Sequence, residues 1–178
     1  MDPLHQRILE TRLHLTQLEI ENWQTNSFLH WHWWGLIIVF TLPWFLWWRL
    51  VRKDELPWII SYALSLALLM VDLALVNLGL YAYPHRIQPI WSGLVIGDIT
   101  LPPIVFSLIY QSRRDWKGYL LYSVIAVAVF SFIGEPMLEW VGLYELYHWS
   151  FLYSFPMYLA MNIPIKLVLD RMKKASQQ

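Results

Sequence analysis

The sequence contains no cysteine, few glycines and no excess of either charge. Without cysteine, disulfides, thiolate metal ligands and thiol nucleophiles are excluded. Basic and acidic residues number 13 each, with no basic stripe of the kind that binds nucleic acid. The phosphate-binding Walker loop, the dinucleotide-binding glycine pattern, the Gly-x-Ser-x-Gly elbow and the Asp-Asp-x-x-Asp motif are also absent. Several common enzyme classes are therefore excluded.

Apolar residues dominate the chain instead. They make up 57% of it, aromatic residues make up 17%, and the mean hydropathy is +0.40, which is typical of a membrane protein. A helix that crosses a bilayer needs about 20 apolar residues. Five segments meet this need, at about 28–50, 57–82, 89–111, 117–143 and 149–169. We therefore predict an all-α, polytopic membrane helix bundle of five transmembrane helices.

The chain divides into three parts around this bundle. Residues 1–27 mix charges with leucines at roughly helical spacing, which predicts an N-terminal amphipathic helix on the membrane surface rather than a cleavable signal peptide. A polar segment that only orients the first span is the alternative. Residues 28–170 form the transmembrane domain, and residues 171–178 form a tail.

Basic residues are distributed unequally between the two ends of the predicted helices. Only three lie on the side of the N-terminus. Ten lie on the other side: Arg49, Arg52, Lys53, Arg113, Arg114, Lys117, Lys166, Arg171, Lys173 and Lys174. The positive-inside rule predicts a multi-pass protein of the cell membrane, with its N-terminus outside and its C-terminus in the cytoplasm.

Four acidic residues lie inside the apolar segments, and none has a basic residue nearby in the predicted membrane core. They are Asp72, Asp98, Glu135 and Glu139. Carboxylates at bilayer depth are costly and are functional candidates by default. A rise of about 1.5 Å per residue places all four at similar depths in the outer half. Pro102 and Pro103 should kink or open the third helix just past Asp98. We predict a polar pocket that opens outward.

An alternative role for each acid is structural. Hydrogen bonds to polar residues on neighbouring helices would tie the bundle together. Candidate partners are Asn77, Thr100, Ser154, Tyr158 and Asn162.

A short pattern recurs in the second and fourth segments. Asp72 is followed by Gly79-Leu80-Tyr81, and Glu135 is followed at the same distance by Gly142-Leu143-Tyr144. In each case the acid and the glycine are two helical turns apart on one face. An internal repeat and a chance match both remain open.

Acids of this kind suit proton transfer to an apolar substrate. A protonated carboxyl is a general acid, and aromatic ring faces stabilise a cation. We expect Glu135 to be the proton donor or its partner, with Asp72, Asp98 and Glu139 completing the acidic cluster. Residues predicted to bind the substrate are Asn77, Tyr81, Tyr83, Trp140, Tyr144, Trp149 and Tyr158. No cofactor and no metal is implied.

Histidines form a second group on the predicted outer face. They are His30, His32, His85 and His148, with Glu145 nearby. Histidine and carboxylate can bind a divalent ion, but the spacing matches no metal motif. Solvated interface histidines are the simpler interpretation.

Several motifs together resemble a family of small five-span membrane proteins that is widespread in spore-forming Gram-positive bacteria. The resemblance covers about residues 31–170 and implies the five-span topology without naming a reaction. It rests on Asp72 with Tyr83-Pro84, Asp98, Tyr110-Gln111, Glu135-Pro136, Tyr144, Trp149 and Tyr153-Ser154-Phe155.

A second pattern is similar to membrane lycopene-cyclase-type domains and, more distantly, to integral-membrane terpene cyclases. Asp72, the segment Gly79-Leu80-Tyr81-Ala82-Tyr83 and Asp98 follow the same order as the acid, the Gly-x-aromatic-x-Tyr segment and the Pro-x-Glu-Glu motif of those domains. Here Ile96-Gly97-Asp98-Ile99 replaces that last motif. The resemblance implies cyclisation or isomerisation of an isoprenoid.

Two functions therefore remain open. The first is an integral membrane enzyme that protonates an apolar isoprenoid-type lipid and starts its cyclisation or isomerisation. The second is non-enzymatic: a proton- or cation-coupled carrier, or a sensor or assembly subunit. Membrane lipids are expected partners in both cases. A homo-oligomer is compatible with so small a bundle, although no Gly-x-x-x-Gly face specifies one.

Overall fold

A computed structural model describes residues 2–51 and 55–175 of the chain. The predicted loop residues Arg52 and Lys53, and the end of the predicted tail at 176–178, lie outside the described residues. The side chains of residues 51, 55–58, 61 and 96 are likewise not described.

The described chain is mostly helical, which confirms the all-α class. The helices are α1 (Pro3–Asn26), α2 (Trp31–Val51), α3 (Glu55–Asn77), α4 (Val95–Asp98), α5 (Leu101–Ser112), α6 (Trp116–Val129), α7 (Glu135–Trp140) and α8 (Phe151–Ala175). A π-helical turn, Phe130–Gly134, joins α6 to α7. Two short strands, β1 (Tyr81–Ala82) and β2 (Glu145–Leu146), lie in the loops after α3 and α7.

Three helical segments of the described chain are long and apolar enough to cross a membrane. They are Trp31–Leu50, Trp116–Trp140 and Phe151–Ala175, and α3 adds the shorter apolar stretch Tyr62–Asn77. The predicted third span, 89–111, is interrupted, because the helix stops at Asp98 and α5 begins at Leu101. Pro102 and Pro103 lie in the first turn of α5, where a missing N–H is tolerated. The break expected near these prolines is therefore present, whereas five full-length spans are not confirmed.

The bundle is centred on α3, which packs against α5 and α8, while α2 packs on α5 and α6 packs on α8. Leu64 and Leu68 of α3 meet Phe106 of α5 and Val127 of α6 in the core. These α3 residues continue at four-residue spacing to the buried Asp72. A single helical stripe thus leads from the apolar core to the first predicted acid.

The repeated Gly-Leu-Tyr pattern adopts the same local structure twice. Gly79 and Gly142 have positive φ angles of 71° and 75° directly after α3 and α7. The following leucine N–H returns to the helix, from Leu80 to the Leu75 carbonyl (3.2 Å) and from Leu143 to the Leu138 carbonyl (2.8 Å). Both helices therefore end in a Schellman motif. The chain segments that follow meet as the antiparallel pair β1–β2.

Helix α1 is present as predicted, but it does not have a single apolar face. At about 100° per residue, its apolar side chains fall on two opposite sides. One side carries Leu4, Ile8, Leu15 and Leu18, and the other carries Leu9, Leu13 and Ile20.

The end of α1 is tied to the loop that follows β1. Trp23 Nε1 donates to the Arg86 carbonyl (3.0 Å), and Arg86 pairs with Glu19 (3.4 Å). The end of α1 and this loop therefore lie on the same side of the bundle.

Lys166 differs from the other cations counted at its end of the helices, because it is fully buried in α8. Its Nζ lies 4.8 Å from the ring centroid of Tyr110, 5.1 Å from that of Trp116 and 4.9 Å from that of Tyr119. It also donates to the Arg114 carbonyl (2.9 Å), and it forms an ion pair of 3.3 Å with Asp170. Cation–π contacts and this ion pair together compensate for its burial.

Candidate functional site: an acid-lined apolar cavity

A cavity of about 240 Å³ lies beside the β1–β2 pair. Its walls come from α2, the break between α4 and α5, the π-helical turn, α7 and α8. Most lining side chains are apolar or aromatic. The acidic ones are Asp98 and Glu135, and no lysine or arginine is among the lining residues. The acids therefore face an apolar space with no countercharge in the cavity wall.

Asp72 lies behind the cavity and organises the loop after α3. Its Oδ1 accepts hydrogen bonds from Tyr81 Oη (2.9 Å) and Tyr83 Oη (2.8 Å), and its Oδ2 accepts one from the Leu94 N–H (3.1 Å). A β-carbon at Gly93 would collide with this Oδ2, so the close approach of the backbone requires glycine. One buried carboxyl thus holds both ends of the 78–94 loop.

Asp98 adjoins Asp72 and faces the cavity. The two carboxyls lie within hydrogen-bonding reach of each other, and we call them the acid pair. Two carboxyls can share a hydrogen bond only when one carries a proton. Asp72 already accepts three protein donors, so a proton shared by the acid pair would be carried by Asp98. Asp98 Oδ2 is buried and has no hydrogen-bond partner in the described chain.

Glu135 lines the same cavity from the first turn of α7. Its Oε2 accepts a hydrogen bond from Ser154 Oγ (2.7 Å), and its Oε1 accepts one from Tyr158 Oη (3.0 Å). Trp149 Nε1 donates to Ser154 Oγ (2.9 Å), which commits the serine hydrogen to Glu135. Hydrogen bonds from the two hydroxyls favour the charged form of Glu135, whereas its burial opposes that form. Two hydroxyl groups thus hold both carboxyl oxygens of Glu135.

The π-helical turn explains the placement of Glu135. The Glu135 N–H donates to the Phe130 carbonyl five residues back, and Pro136 follows Glu135 directly. Proline has no N–H and clashes with the carbonyl four residues earlier, so a regular helix is disfavoured at this point. The wider π turn absorbs that conflict, and such turns are frequent at functional sites. Pro136 is the sequence signal that could have predicted it.

Aromatic rings cover the cavity on the side of the loops, and we call Tyr81, Tyr83, Tyr144 and Trp149 the roof. Tyr81 meets Tyr144 edge-on at 5.1 Å and Trp149 at 5.9 Å, and Tyr83 stacks on Tyr144 at 5.4 Å. Tyr81 and Tyr144 are buried. The roof lies on the side of the loops that follow α3 and α7, and its ring faces suit a cationic ligand.

The structure brings most of the predicted site residues together. Asp98, Glu135, Tyr158 and the four roof residues line the cavity, with Asp72 directly behind. Glu139, Trp140 and Asn77 lie outside it. Trp140 is 85% exposed, Glu139 is exposed near the end of α7, and Asn77 is exposed and donates to the Leu73 carbonyl (2.6 Å). Glu139 therefore does not share the environment of Glu135, because it is exposed in the last turn of α7, where Leu138 instead packs against the core.

Two of the four predicted outer histidines stack on each other. His32 and His85 are parallel with centroids 4.0 Å apart, and Ser27 Oγ lies 3.3 Å from His85 Nδ1. Burial and the neighbouring His32 lower the pKa of His85, so it is held neutral at pH 7. Within the described ranges, no group of three histidines or carboxylates could hold a metal ion.

No protein-family model matches the chain, and no curated protein and no solved structure matches it. What the fold defines is a mostly helical protein with three candidate membrane spans and one acid-lined apolar cavity. The geometry of this cavity is the basis for a functional proposal.

Proposed function

We propose that the chain crosses the membrane five times, through α2, α3, α4–α5, α6–α7 and α8. The β1–β2 pair requires the end of α3 and the end of α7 to lie on the same side, and the contact of Trp23 with Arg86 adds the end of α1 to that side. If α2 crosses, α3 must return the chain to the starting side. The basic residues at the opposite end support an outside N-terminus and a cytoplasmic C-terminus.

The protein is, in this proposal, a membrane enzyme that moves a proton on an apolar isoprenoid-type lipid. One observation carries the proposal: two carboxyl groups in different environments line one apolar cavity. Asp98 adjoins Asp72, whereas the Glu135 carboxyl accepts hydrogen bonds from two hydroxyls. In the proposed reaction the acid pair holds the proton that is given, and Glu135 accepts one. A donor and an acceptor in different environments are what acid–base catalysis needs. The motif order that resembles lycopene-cyclase-type domains supports the isoprenoid class.

The reaction balances without a cofactor. The acid pair transfers its proton to one carbon of an alkene, so that a C–H bond forms from the π electrons and the adjacent carbon becomes cationic. An epoxide oxygen would accept the proton in the same way as its C–O bond breaks. The roof stabilises the cation. Glu135 then removes a proton from a neighbouring carbon and restores a double bond, and proton return from Glu135 to the acid pair completes the cycle. The product has the mass of the substrate.

Lipid analysis tests this proposal. The wild type, Asp98→Asn and Glu135→Gln would be expressed in a host supplied with linear polyprenyl alcohols, hydrocarbons and epoxides, with Glu139→Gln as the matched control outside the cavity. A new species of equal mass is expected in the wild type and the control only. Identical extracts from four well-expressed proteins would reject the enzymatic proposal.

A proton-coupled carrier is a second candidate, favoured by a polar stripe on α8. Ser154, Tyr158, Asn162, Lys166 and Asp170 recur at four-residue spacing from the cavity towards the other end of the helix. Tyr119 Oη reaches Asn162 Oδ1 at 3.4 Å from α6. Proton flux into liposomes that Asn162→Leu abolishes would support the carrier; absence of flux would leave the enzyme.

A further inference from the structure

Two of the residues that line the cavity also lie on the surface of the bundle. Among its lining residues only Val39 of α2 and Met137 of α7 are exposed, at 52% and 58%, while all the others are buried or half-buried. We call these two residues the mouth. Since the roof covers the loop side, the mouth is the way in.

The surface around the mouth is apolar. Ile38 is 60% exposed and Leu42 56% exposed on α2, and Ile133 is 54% exposed just before α7. α2 packs mainly on α5, and α7 packs against the π-helical turn, while Leu138 of α7 packs against the cluster that holds Leu36 and Phe40 of α2. In the membrane, lipid chains would cover such a surface. The mouth therefore faces hydrocarbon rather than water.

The charge of the cavity determines which end of a lipid can enter. No cationic side chain lines it, and the carboxyls would repel a phosphate or carboxylate headgroup. An apolar chain end meets only methyl groups and ring faces at the mouth. The entering group is therefore the apolar end of the lipid, and a charged headgroup stays outside.

The volume of the cavity limits how much of the lipid chain can enter. At about 30 Å³ for each water-sized group, a cavity of this volume holds about eight such groups. That is one to two isoprene units, while the remaining chain must extend through the mouth into the bilayer.

We propose that the mouth between Val39 and Met137 is a lateral opening, through which the ω end of a long linear isoprenoid enters from the bilayer while the rest of the chain stays in lipid. This proposal rests on the proposed membrane placement and names the substrate class of the proposed reaction. The acid pair and Glu135 would then act on the terminal isoprene units only.

Photo-crosslinking tests the opening independently of catalysis. The full chain would be reconstituted in liposomes with geranylgeraniol that carries a diazirine at its ω end, and adducts would be mapped by mass spectrometry. Adducts are expected on cavity residues such as Leu138 and Tyr144. The same probe with its diazirine beside the hydroxyl should label exposed helix surfaces instead.

Blocking variants make the test specific. Val39→Trp and, from the other side, Met137→Trp should each reduce cavity labelling about tenfold, whereas the control Ile38→Trp on the adjacent exposed position should leave it unchanged. Circular dichroism and thermal unfolding would confirm that each variant is folded. Equal labelling in the folded mouth variants, or cavity labelling by the hydroxyl-side probe, would overturn the proposal.

The opening and the reaction can fail separately. Asp98→Asn should retain cavity labelling and form no product. If labelling depends on the mouth but no variant and no wild type forms product, the opening holds and the proposed reaction does not. If product forms while cavity labelling is unchanged in Val39→Trp and Met137→Trp, the proposed reaction is supported and the proposed opening is rejected.

Discussion

Asp72 and Asp98 are neighbours with different tasks. Asp72 uses both carboxyl oxygens to accept hydrogen bonds from Tyr81, Tyr83 and the Leu94 N–H. Both oxygens are therefore occupied by the loop that follows α3. Asp98 lines the cavity, and its buried Oδ2 has no hydrogen-bond partner in the described chain. The first is a positioning residue, and the second is the group available to a ligand.

Replacing each acid by leucine should separate these tasks. Asp72→Leu leaves three buried donors without an acceptor and should destabilise the protein by about 3 kcal/mol more than Asp98→Leu does. Apparent melting temperatures in detergent measure this difference. Equal losses for the two variants would contradict the division of roles.

Lys166 should be the most important single cation for stability. Lys166→Met removes the ammonium from three aromatic rings and leaves Asp170 unpaired, which we expect to cost about 3 kcal/mol. Lys174→Met, at an exposed position of the same helix, is the matched control and should change little. If both variants melted at the wild-type temperature, the aromatic enclosure would be irrelevant to stability.

The burial of Lys166 shows why part of the packing between helices could not be predicted. The acids and the tyrosines could be recognised because each residue type is unusual in an apolar segment. The environment of Lys166 depends on Tyr110, Trp116 and Tyr119, which come from α5 and α6, and sequence spacing does not show which helices meet. Its position near the end of an apolar segment therefore shows only the side on which Lys166 lies.

The two helix ends that carry glycine are the most specific local elements of the fold. Gly79→Ala and Gly142→Ala would place a β-carbon in open space, so their cost is only that of the left-handed backbone, about 1 kcal/mol each. Gly35→Ala, which lies within α2 and also meets nothing, should be neutral or stabilising. Thermal unfolding of the three variants measures this contrast, and uniform behaviour would contradict the capping role.

These two helix ends also show which structural features could be predicted from the repeated Gly-Leu-Tyr pattern. Glycine followed by leucine and tyrosine predicted equivalent positions, and the structure gives both the same cap. The pairing of β1 with β2 was not predicted, because two-residue strands have no periodic signal. The break at Ile99–Thr100 was predictable from Pro102 and Pro103, whereas the π turn required attention to Pro136.

The whole chain offers a direct test of its topology, because it has no native cysteine. Five crossings place the 78–94 loop outside, and crossings by only the three long candidate spans place it inside. A single Ile90→Cys variant should react with an impermeant maleimide in intact cells, as should the outside control Tyr147→Cys. Lys174→Cys should react only after permeabilisation. Protection of Ile90→Cys in intact cells would exclude the five-span arrangement.

The hydrogen bonds of the two carboxyl sites also determine the order in which the two halves of the site can form while the chain is synthesised. Every partner of Asp72 lies between Tyr81 and Asp98, so that half of the site can close as soon as the early helices leave the ribosome. Glu135 must wait for Trp149, Ser154 and Tyr158, which belong to the last helix and the loop before it. Until α8 is in place, the Glu135 carboxyl lacks these hydroxyl donors within an apolar helix. A chain stalled or cut before α8 therefore leaves the half of the site around Glu135 unformed.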